Sequence, residues 1–155
     1  MSLISTSAID VTKLALDGLM ARQRAIAANT ANVETPDYQR KEVYFEDQLK
    51  EIIQKENKKE EMKALNSVKF QPTSLEQIRP TKPELDFLQT NSYEGYAPQM
   101  ITDTRIVNPY SNNNVNVEKE MMDMAKTGTQ LQVLSTLEGR MFSHLKDIIA
   151  GGSNG

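Results

Sequence analysis

The chain has 155 residues, of which 38% are hydrophobic and 6% aromatic, enough for one modest hydrophobic core. Its 18 basic and 21 acidic residues give a net charge of −3, so the composition carries no electrostatic signature of nucleic-acid or anionic-membrane binding. Cysteine is absent, which excludes a thiol nucleophile, a disulfide framework and a cysteine-ligated zinc site.

The N-terminal region does not resemble a cleavable signal peptide. It lacks a basic start, and Asp10, Lys13 and Asp17 interrupt its apolar residues. No apolar run reaches the roughly 18 residues that a membrane-spanning helix needs. The sequence therefore predicts neither a cleaved signal peptide nor a membrane span.

The first predicted element is a helix from about Ser7 to Asn32. Apolar residues with nearly heptad spacing line one side, and small residues that permit close approach line a second side. Two packing faces usually indicate more than one partner. The heptad-spaced residues form the first half of a predicted assembly interface: Ile9, Leu16, Leu19, Ile26 and Val33.

A turn is predicted directly after this helix. Pro36 disfavours helical backbone at Thr35, so the helix is expected to end by about Val33. Two asparagines in the stretch carry short amides that can bond the freed carbonyl groups, and Tyr38 is expected to fold back against the helix end. The predicted turn motif comprises Asn29, Asn32, Thr35, Pro36, Asp37 and Tyr38.

The middle of the chain is less regular. A further helix is predicted from Val43 to about Ala64, where it fades into a run of solvated charges. Between Asn66 and Asn114 no periodicity is sustained, and the stretches SVKF and QMITDTRIV are predicted as short strands. A region of this length is either functional or ordered by contacts with other chains.

The last predicted element is a second long helix. Asn116 is its expected N-cap, with Glu118 and Glu120 in a first turn where the helix dipole favours carboxylates. The asparagines at 112–114 are interpreted as a turn before the cap, and Gly151-Gly152 as the helix end. At roughly 45–50 Å the helix is too long for a small monomer to cover. Its apolar stripe is the second half of the predicted interface: Met121, Met124, Leu131, Leu134, Met141, Leu145 and Ile148.

No catalytic, cofactor-binding or metal-binding constellation is predicted. His144 is the only histidine, and the residues that would complete a site with it are lacking. The carboxylate pairs Glu60-Glu61 and Glu118-Glu120 are interpreted as solvated faces. The glycines are dispersed, so no phosphate-binding loop is present. We therefore expect neither an enzyme nor a cofactor.

The predicted fold is mainly α, with long N- and C-terminal helices that pack as a coiled-coil-like pair and an irregular middle segment holding short β-strands. The predicted divisions are an N-terminal core helix (1–33), the turn motif with a connecting helix (34–66), the irregular segment (67–114) and a C-terminal core helix (115–155). Both termini together form one assembly domain in this prediction.

Two stretches resemble the axial proteins of the bacterial flagellum. NTANVETPDY at 29–38 is similar to the N-x-A-N-x-x-T-P-G-Y signature of flagellar rod and hook proteins, with Asp37 where that family usually has glycine. The following YQRKEVYFEDQL resembles proximal-rod members in particular. Near the second helix, the family's N-x-V-x-x-x-x-E-M segment is matched at Asn113, Val115, Glu120 and Met121.

This resemblance implies a structural subunit of the proximal rod of the flagellar basal body, which polymerises helically into the drive shaft above the export gate and transmits torque for motility. It implies type III export without a cleaved signal peptide and a periplasmic, extracytoplasmic location. The implied partners are further copies of the chain, other rod proteins such as FlgC, the adaptor FliE and the flagellar export gate. Nucleic acid and a direct membrane span are not implied.

Two alternatives remain open from the residues alone. One is another axial rod protein, although the spacing from Tyr38 to Phe45 favours the proximal rod. The other is a soluble helical export adaptor or chaperone, which should fold as a discrete bundle with stable termini.

Overall fold

The computed structural model describes residues 6–68, 82–105 and 112–151. In chain order their elements are α1 (Thr6–Ala31), β1 (Lys41–Tyr44), α2 (Glu46–Val68), α3 (Lys82–Gln89), β2 (Gln99–Thr102) and α4 (Val117–Gly151). The predicted mainly α fold is confirmed, with a long helix near each end and two short strands between them. No helix formed by the described residues is long and apolar enough to cross a membrane.

The ends of the two long helices follow local sequence signals. α1 ends at Ala31, as the proline five residues later predicts, and two successive turns continue from it, with the N–H of Asn32 bonded to the carbonyl of Asn29 at 3.1 Å. At the start of α4, the Asn116 side-chain oxygen accepts a hydrogen bond from the N–H of Lys119 at 2.9 Å. The predicted N-cap is therefore confirmed.

One compact unit contains α1, β1, β2 and α4, and α1 packs against both α4 and β1. The strands are antiparallel, with Lys41 opposite Thr102 and Tyr44 opposite Gln99. The predicted pairing of the terminal helices is thus confirmed. Buried apolar side chains from three of these elements and from the residue after β1 form the core of the unit: Ala15, Leu16, Leu19, Ala25, Ile26, Val43, Phe45 and Met141.

The small-residue side of α1 receives an aromatic ring. Phe45 lies so close to Gly18 that a Cβ added to the glycine would be 2.7 Å from the ring atom Cδ1. The guanidinium of Arg22 stands 4.8 Å from the centre of the same ring and forms an ion pair with Glu46. The residue directly after β1 is therefore fixed against α1.

A second compact unit contains α2 from Gln48 onward and α3. The buried ammonium of Lys59 donates to the carbonyl of Thr90, which follows α3, and lies 3.3 Å from a carboxylate oxygen of Glu56. Lys58 stands over the ring of Phe87, 5.8 Å from its centre. These contacts hold α3 and the residues after it to α2.

The predicted boundaries in the middle of the chain need correction. Val43 belongs to β1, and the helix begins only at Glu46, where two acidic residues favour a helix start. The stretch QMITDTRIV contains β2 in its first four residues, as predicted. In SVKF the first two residues are helical, contrary to the prediction, and the other two lie outside the described residues. The short helix α3 was not predicted, because eight residues are too few to show a sustained period.

Candidate functional site

Asn29 lies in the last turn of α1, and its side chain is wholly buried, with 0% exposure. Its amide nitrogen donates to the carbonyl of Lys41 at 2.8 Å, and its amide oxygen accepts from the N–H of Lys41 at 2.8 Å. One side chain thus bonds both backbone groups of a strand residue, as a neighbouring strand would. The helix end is thereby attached to the start of β1.

The remaining bonding capacity of Asn29 is used as well. Its amide nitrogen also donates to Glu120 Oε2 at 3.1 Å, and its oxygen accepts a second bond from the Tyr38 hydroxyl at 3.2 Å. All four positions of the amide therefore have partners. Burial, and then the negative charge of Glu120, raise the pKa of Tyr38, which keeps its hydroxyl protonated as the donor.

Glu120 is the second wholly buried polar side chain of the site, with 0% exposure. Its Oε1 accepts a bond from Arg40 Nε at 2.5 Å, and Arg40 is itself only 4% exposed. The guanidinium also lies 2.8 Å from Glu42 and 3.3 Å from Asp123. Burial alone would lower the pKa of Arg40, but the bonds to Glu42 and Glu120 outweigh it and raise the pKa.

We call the buried residues Asn29, Arg40 and Glu120, together with the half-buried Tyr38, the buried polar cluster. Its members come from the end of α1, the turn, the residue before β1 and the first turn of α4. Each carboxylate oxygen of Glu120 has its own donor, one from Arg40 and one from Asn29. The cluster therefore joins α1, β1 and α4 through one hydrogen-bonded network.

Asn113 binds the turn from the other side. Its buried amide nitrogen lies 2.9 Å from the carbonyl oxygen of Asn32, 3.0 Å from that of Val33 and 2.8 Å from that of Thr35. Its amide oxygen accepts from the N–H of Val115 at 2.8 Å. One side chain thus contacts three carbonyls of the turn that follows α1.

Asn114 continues this attachment toward the strands. Its amide oxygen accepts from the N–H of Arg40 at 2.6 Å, and its amide nitrogen donates to the carbonyl of Asp103 at 2.5 Å. The N–H of Asp103 in turn donates to the carbonyl of Arg40 at 2.8 Å. The asparagines at 112–114 are therefore more than the turn that the sequence indicated, since they connect the segment before α4 to the turn and both strands.

Asp37 adopts a left-handed backbone with φ of 60°. This is the position at which the resembling family usually has glycine, and aspartate tolerates that conformation better than most residues. Its carboxylate accepts a 3.3 Å bond from the side chain of Asn112, another left-handed residue. The aspartate therefore replaces the glycine at the cost of some backbone strain.

We expect Asp37→Gly to stabilise the chain by about 0.5–1 kcal/mol, because glycine adopts positive φ without a Cβ clash. Asp37→Ala should instead destabilise it by about 1 kcal/mol. Alanine has neither the freedom of glycine at positive φ nor the carboxylate that accepts the bond from Asn112. Urea denaturation of the two variants checks this. An alanine variant as stable as the glycine variant would show that the backbone conformation at this position is unimportant.

The six residues of the predicted turn motif lie together, but their roles differ from the prediction in part. Asn32 bonds a freed helix carbonyl, that of Ala28 at 2.8 Å, and Tyr38 folds back as predicted. Asn29 does not bond such a carbonyl and bonds β1 and Glu120 instead, because it is still helical and faces them. The Thr35 hydroxyl donates to the Asn32 amide oxygen at 3.2 Å, and Pro36 is exposed.

The residues of the predicted assembly interface fall into three groups. Those buried are Leu16, Leu19, Ile26 and Met141, and those half-buried are Ile9, Val33, Leu131 and Leu134. Those exposed are Met121, Met124, Leu145 and Ile148. The exposed members are available to another chain, and the buried ones contribute to packing within their own subunit. Assembly through this surface stays a prediction.

Sequence reasoning missed the role of Arg40 and misjudged Glu120. Glu118 is exposed as predicted, whereas the interpretation of Glu120 as part of a solvated face was wrong. The described α4 residues that are not exposed recur every three or four positions, and we call them the buried stripe of α4: Glu120, Asp123, Thr127, Leu131, Leu134, Glu138 and Met141. Glu120 lies in line with this stripe, and this position was the signal in the sequence that its carboxylate is buried.

The described residues contain no group of acidic and histidine side chains that could hold a metal ion. His144, the only histidine, is exposed on α4. A cavity of about 120 Å³ beside the buried polar cluster is lined by Arg22, Arg40 and Asp123 among others. The arrangement of the site is suited to holding chain segments together.

No family model matches the chain. Among curated proteins it is similar to the flagellar basal body rod protein FlgB of Bacillus subtilis (strain 168), with 29% identity over 131 residues that cover 84% of each chain. The Borrelia hermsii protein of the same name is 25% identical over 141 residues, which cover 91% of this chain and 94% of the relative. That of Escherichia coli (strain K12) is 26% identical over 121 residues, 77% of each chain.

Proposed function

We propose that this FlgB-like chain is a structural subunit of the flagellar basal-body rod. The observation that carries the proposal is that flagellar basal body rod proteins from different bacteria are similar to the chain over 77% to 91% of its length. Similarity on that scale extends well beyond a short motif. The polar contacts of the site bind chain segments to one another, which suits a structural role rather than an enzymatic one.

The exposed apolar surface of α4 supports assembly. This helix has 35 residues against 26 in α1, and every described residue from Phe142 to Ala150 is exposed. Phe142 and Ile149 are large apolar residues with 51% and 69% exposure. Apolar surface of this kind is typical of protein interfaces. We therefore assign the last part of α4 to contacts with neighbouring subunits.

Within the rod, we assign the chain to the proximal part. A head-to-tail interface that does not close on itself produces a helical assembly. Long helices packed along each other give such an assembly the stiffness that torque transmission requires. The supporting observations are the resemblance of YQRKEVYFEDQL to proximal-rod members and the pairing of α1 with α4.

The same assignment gives the partners and the location. The partners are further copies of the chain, other rod proteins such as FlgC, the adaptor FliE and the flagellar export gate. The subunit works in the extracytoplasmic part of the basal body, after export without a cleaved signal peptide. Support for these statements comes from the family resemblance and from the rod assignment of the relatives.

Leu145→Asp tests the assembly surface. Because Leu145 is exposed in the subunit, the substitution should leave its helix content and thermal stability nearly unchanged. It should nevertheless reduce incorporation into basal bodies at least tenfold, since the charge would be buried in a subunit interface. Immunoblots of purified basal bodies, with motility in soft agar, measure this.

The matched control is Ser143→Asp, which adds the same charge to an exposed position two residues away. It lies on nearly the opposite side of the helix, so incorporation should stay near that of the unmodified chain. Normal incorporation of the Leu145→Asp chain would show that this part of α4 is not an interface.

A further inference from the structure

The sheet of β1 and β2 has one covered edge and one free edge. On the outer edge of β1, the Asn29 amide bonds both backbone groups of Lys41. Further along the same edge, Arg22 donates to the carbonyl of Val43 at 2.9 Å. Side chains of α1 therefore take the place that a neighbouring strand would have. β2 has no such cover, since all four of its residues are exposed.

The bonds of β1 identify the backbone groups of β2 that face outward. In an antiparallel pair, successive residues alternate between bonding the partner strand and facing away from it. Lys41 and Val43 face away, toward α1. Their partners in the register, Thr102 and Met100, therefore face away on the other side. No described residue bonds the outward N–H and carbonyl groups of these two, so they are open to another chain.

Apart from its short length, the free edge lacks the features that keep strand edges from pairing with other chains. β2 contains no charged residue and no proline, and its register with β1 runs without a bulge. Met100 and Ile101 are 55% and 49% exposed. An exposed apolar strand edge of this kind is a template for a strand from another chain.

We propose that β2 pairs with β2 of a second copy of the chain, antiparallel and about a two-fold axis at Ile101. Met100 of each copy then lies opposite Thr102 of the other, and the two residues exchange both backbone bonds. Every outward group of both edges thereby obtains a partner. A second copy offers no other strand edge in the described part of the chain, because the edge of β1 is covered by α1.

The side chains of β2 also fit a second copy. Ile101 of one copy would lie beside Ile101 of the other at a position without backbone bonds, where side chains are closest and β-branched residues pair well. Asp103 would lie opposite Gln99, so no like charges stand directly opposite each other. The contact is smaller than the interface of a stable dimer. We therefore expect a weak, reversible dimer.

This pairing is separate from assembly through α4. A two-fold contact is complete with two copies, so it cannot by itself extend a helical assembly. The dimer is therefore a contact between free subunits. The proposal does not depend on the flagellar assignment, and its failure would leave that assignment untouched.

The absence of cysteine allows a direct test with the purified full chain. The two-fold axis places Ile101 opposite itself, with Cα atoms about 4.5 Å apart, a distance that a disulfide spans. The two Met100 positions are diagonal neighbours about 8 Å apart, beyond the limit of about 7 Å. Under a mild oxidant, Ile101→Cys should therefore form disulfide-linked dimers roughly tenfold faster than Met100→Cys, although Met100 is more exposed. Non-reducing gel electrophoresis measures both rates.

A second substitution in the Ile101→Cys chain tests the backbone bonds. Thr102→Pro removes an outward N–H that has no partner within the subunit, so it should keep the fold and slow disulfide formation roughly tenfold. Thr102→Ala is the matched control and should leave the rate within about twofold, since it keeps the backbone groups.

Three results would overturn the proposal. One is an equal rate of disulfide formation for Ile101→Cys and Met100→Cys, which would indicate random collision of exposed thiols. Another is a rate that Thr102→Pro leaves unchanged. The third is a disulfide that forms in cells with a different protein and never between purified copies, since the free edge would then have another partner.

Discussion

Glu120→Leu is expected to destabilise the folded chain by about 3–5 kcal/mol, because removing one partner of a buried ion pair leaves the other charge uncompensated. Arg40 would remain 4% exposed and keep only the partly exposed Glu42 and Asp123 near it. Asn29 would also lose the acceptor of one amide hydrogen. Urea denaturation followed by circular dichroism measures the free energy of unfolding.

Two further variants distinguish the effect of losing the ion pair from the effect of replacing glutamate by leucine. Glu118→Leu removes the same charge from an exposed position in the same helical turn, and its effect should stay within about 0.5 kcal/mol. Adding Arg40→Met to Glu120→Leu should recover most of the lost stability, since both charges are then gone. Equal effects of Glu118→Leu and Glu120→Leu would contradict the burial of the pair.

Asn113→Ala is expected to destabilise the chain by about 2–3 kcal/mol. The substitution removes the donor to the carbonyls of Asn32, Val33 and Thr35 and the acceptor for the N–H of Val115. Part of this loss is offset because Asn32, Val33 and Thr35 are only half-buried or exposed, so water reaches their backbone. The free energy of unfolding in urea is again the measurement.

Asn113→Asp gives a sharper version of the same test. It keeps an oxygen for the N–H of Val115 but directs a second oxygen at three carbonyl oxygens, so it should destabilise the chain at least as much as alanine does. The control is Asn112→Gly at the exposed neighbour, whose φ of 55° suits glycine. If Asn113→Ala proved as mild as this control, the turn would not depend on Asn113.

The predictions that succeeded depend on signals within one helical turn or a few residues. The end of α1, the N-cap at Asn116 and the return of Tyr38 follow from a proline, a capping amide and a short tether. Each needs no knowledge of distant chain segments. For the same reason the mainly α fold was accessible from the sequence.

Apart from SVKF and the short helix α3, the predictions that failed concern contacts between distant segments. Val43 and Tyr44, the second half of β1, were predicted as helix because the partner strand β2 lies more than 50 residues further along, and pairing rather than local preference decides their structure. Glu120 was interpreted as an ordinary first-turn carboxylate, because nothing in its local sequence shows that Arg40, 80 residues earlier, lies beside it. The role of Asn29 was mispredicted for the same reason, since its main partners are in β1 and α4.

The face that α4 turns toward α1 was also ambiguous. Apolar residues occur around much of the helix, and those on the buried stripe are no larger than the exposed Phe142 or Met121. The stripe is marked by polar members, Glu120 and Thr127, which a search for apolar periodicity passes over. The excess of exposed apolar residues is itself informative, because it indicates a helix with a second interface.

The measurement that tests the rod assignment most directly is quantitative mass spectrometry of purified flagellar basal bodies, washed free of soluble proteins. The account predicts that this chain remains with the particles at a fixed ratio to the other rod proteins. Recovery of the chain only in the soluble fraction, bound to other flagellar proteins, would contradict a rod subunit and assign it instead to export as an adaptor.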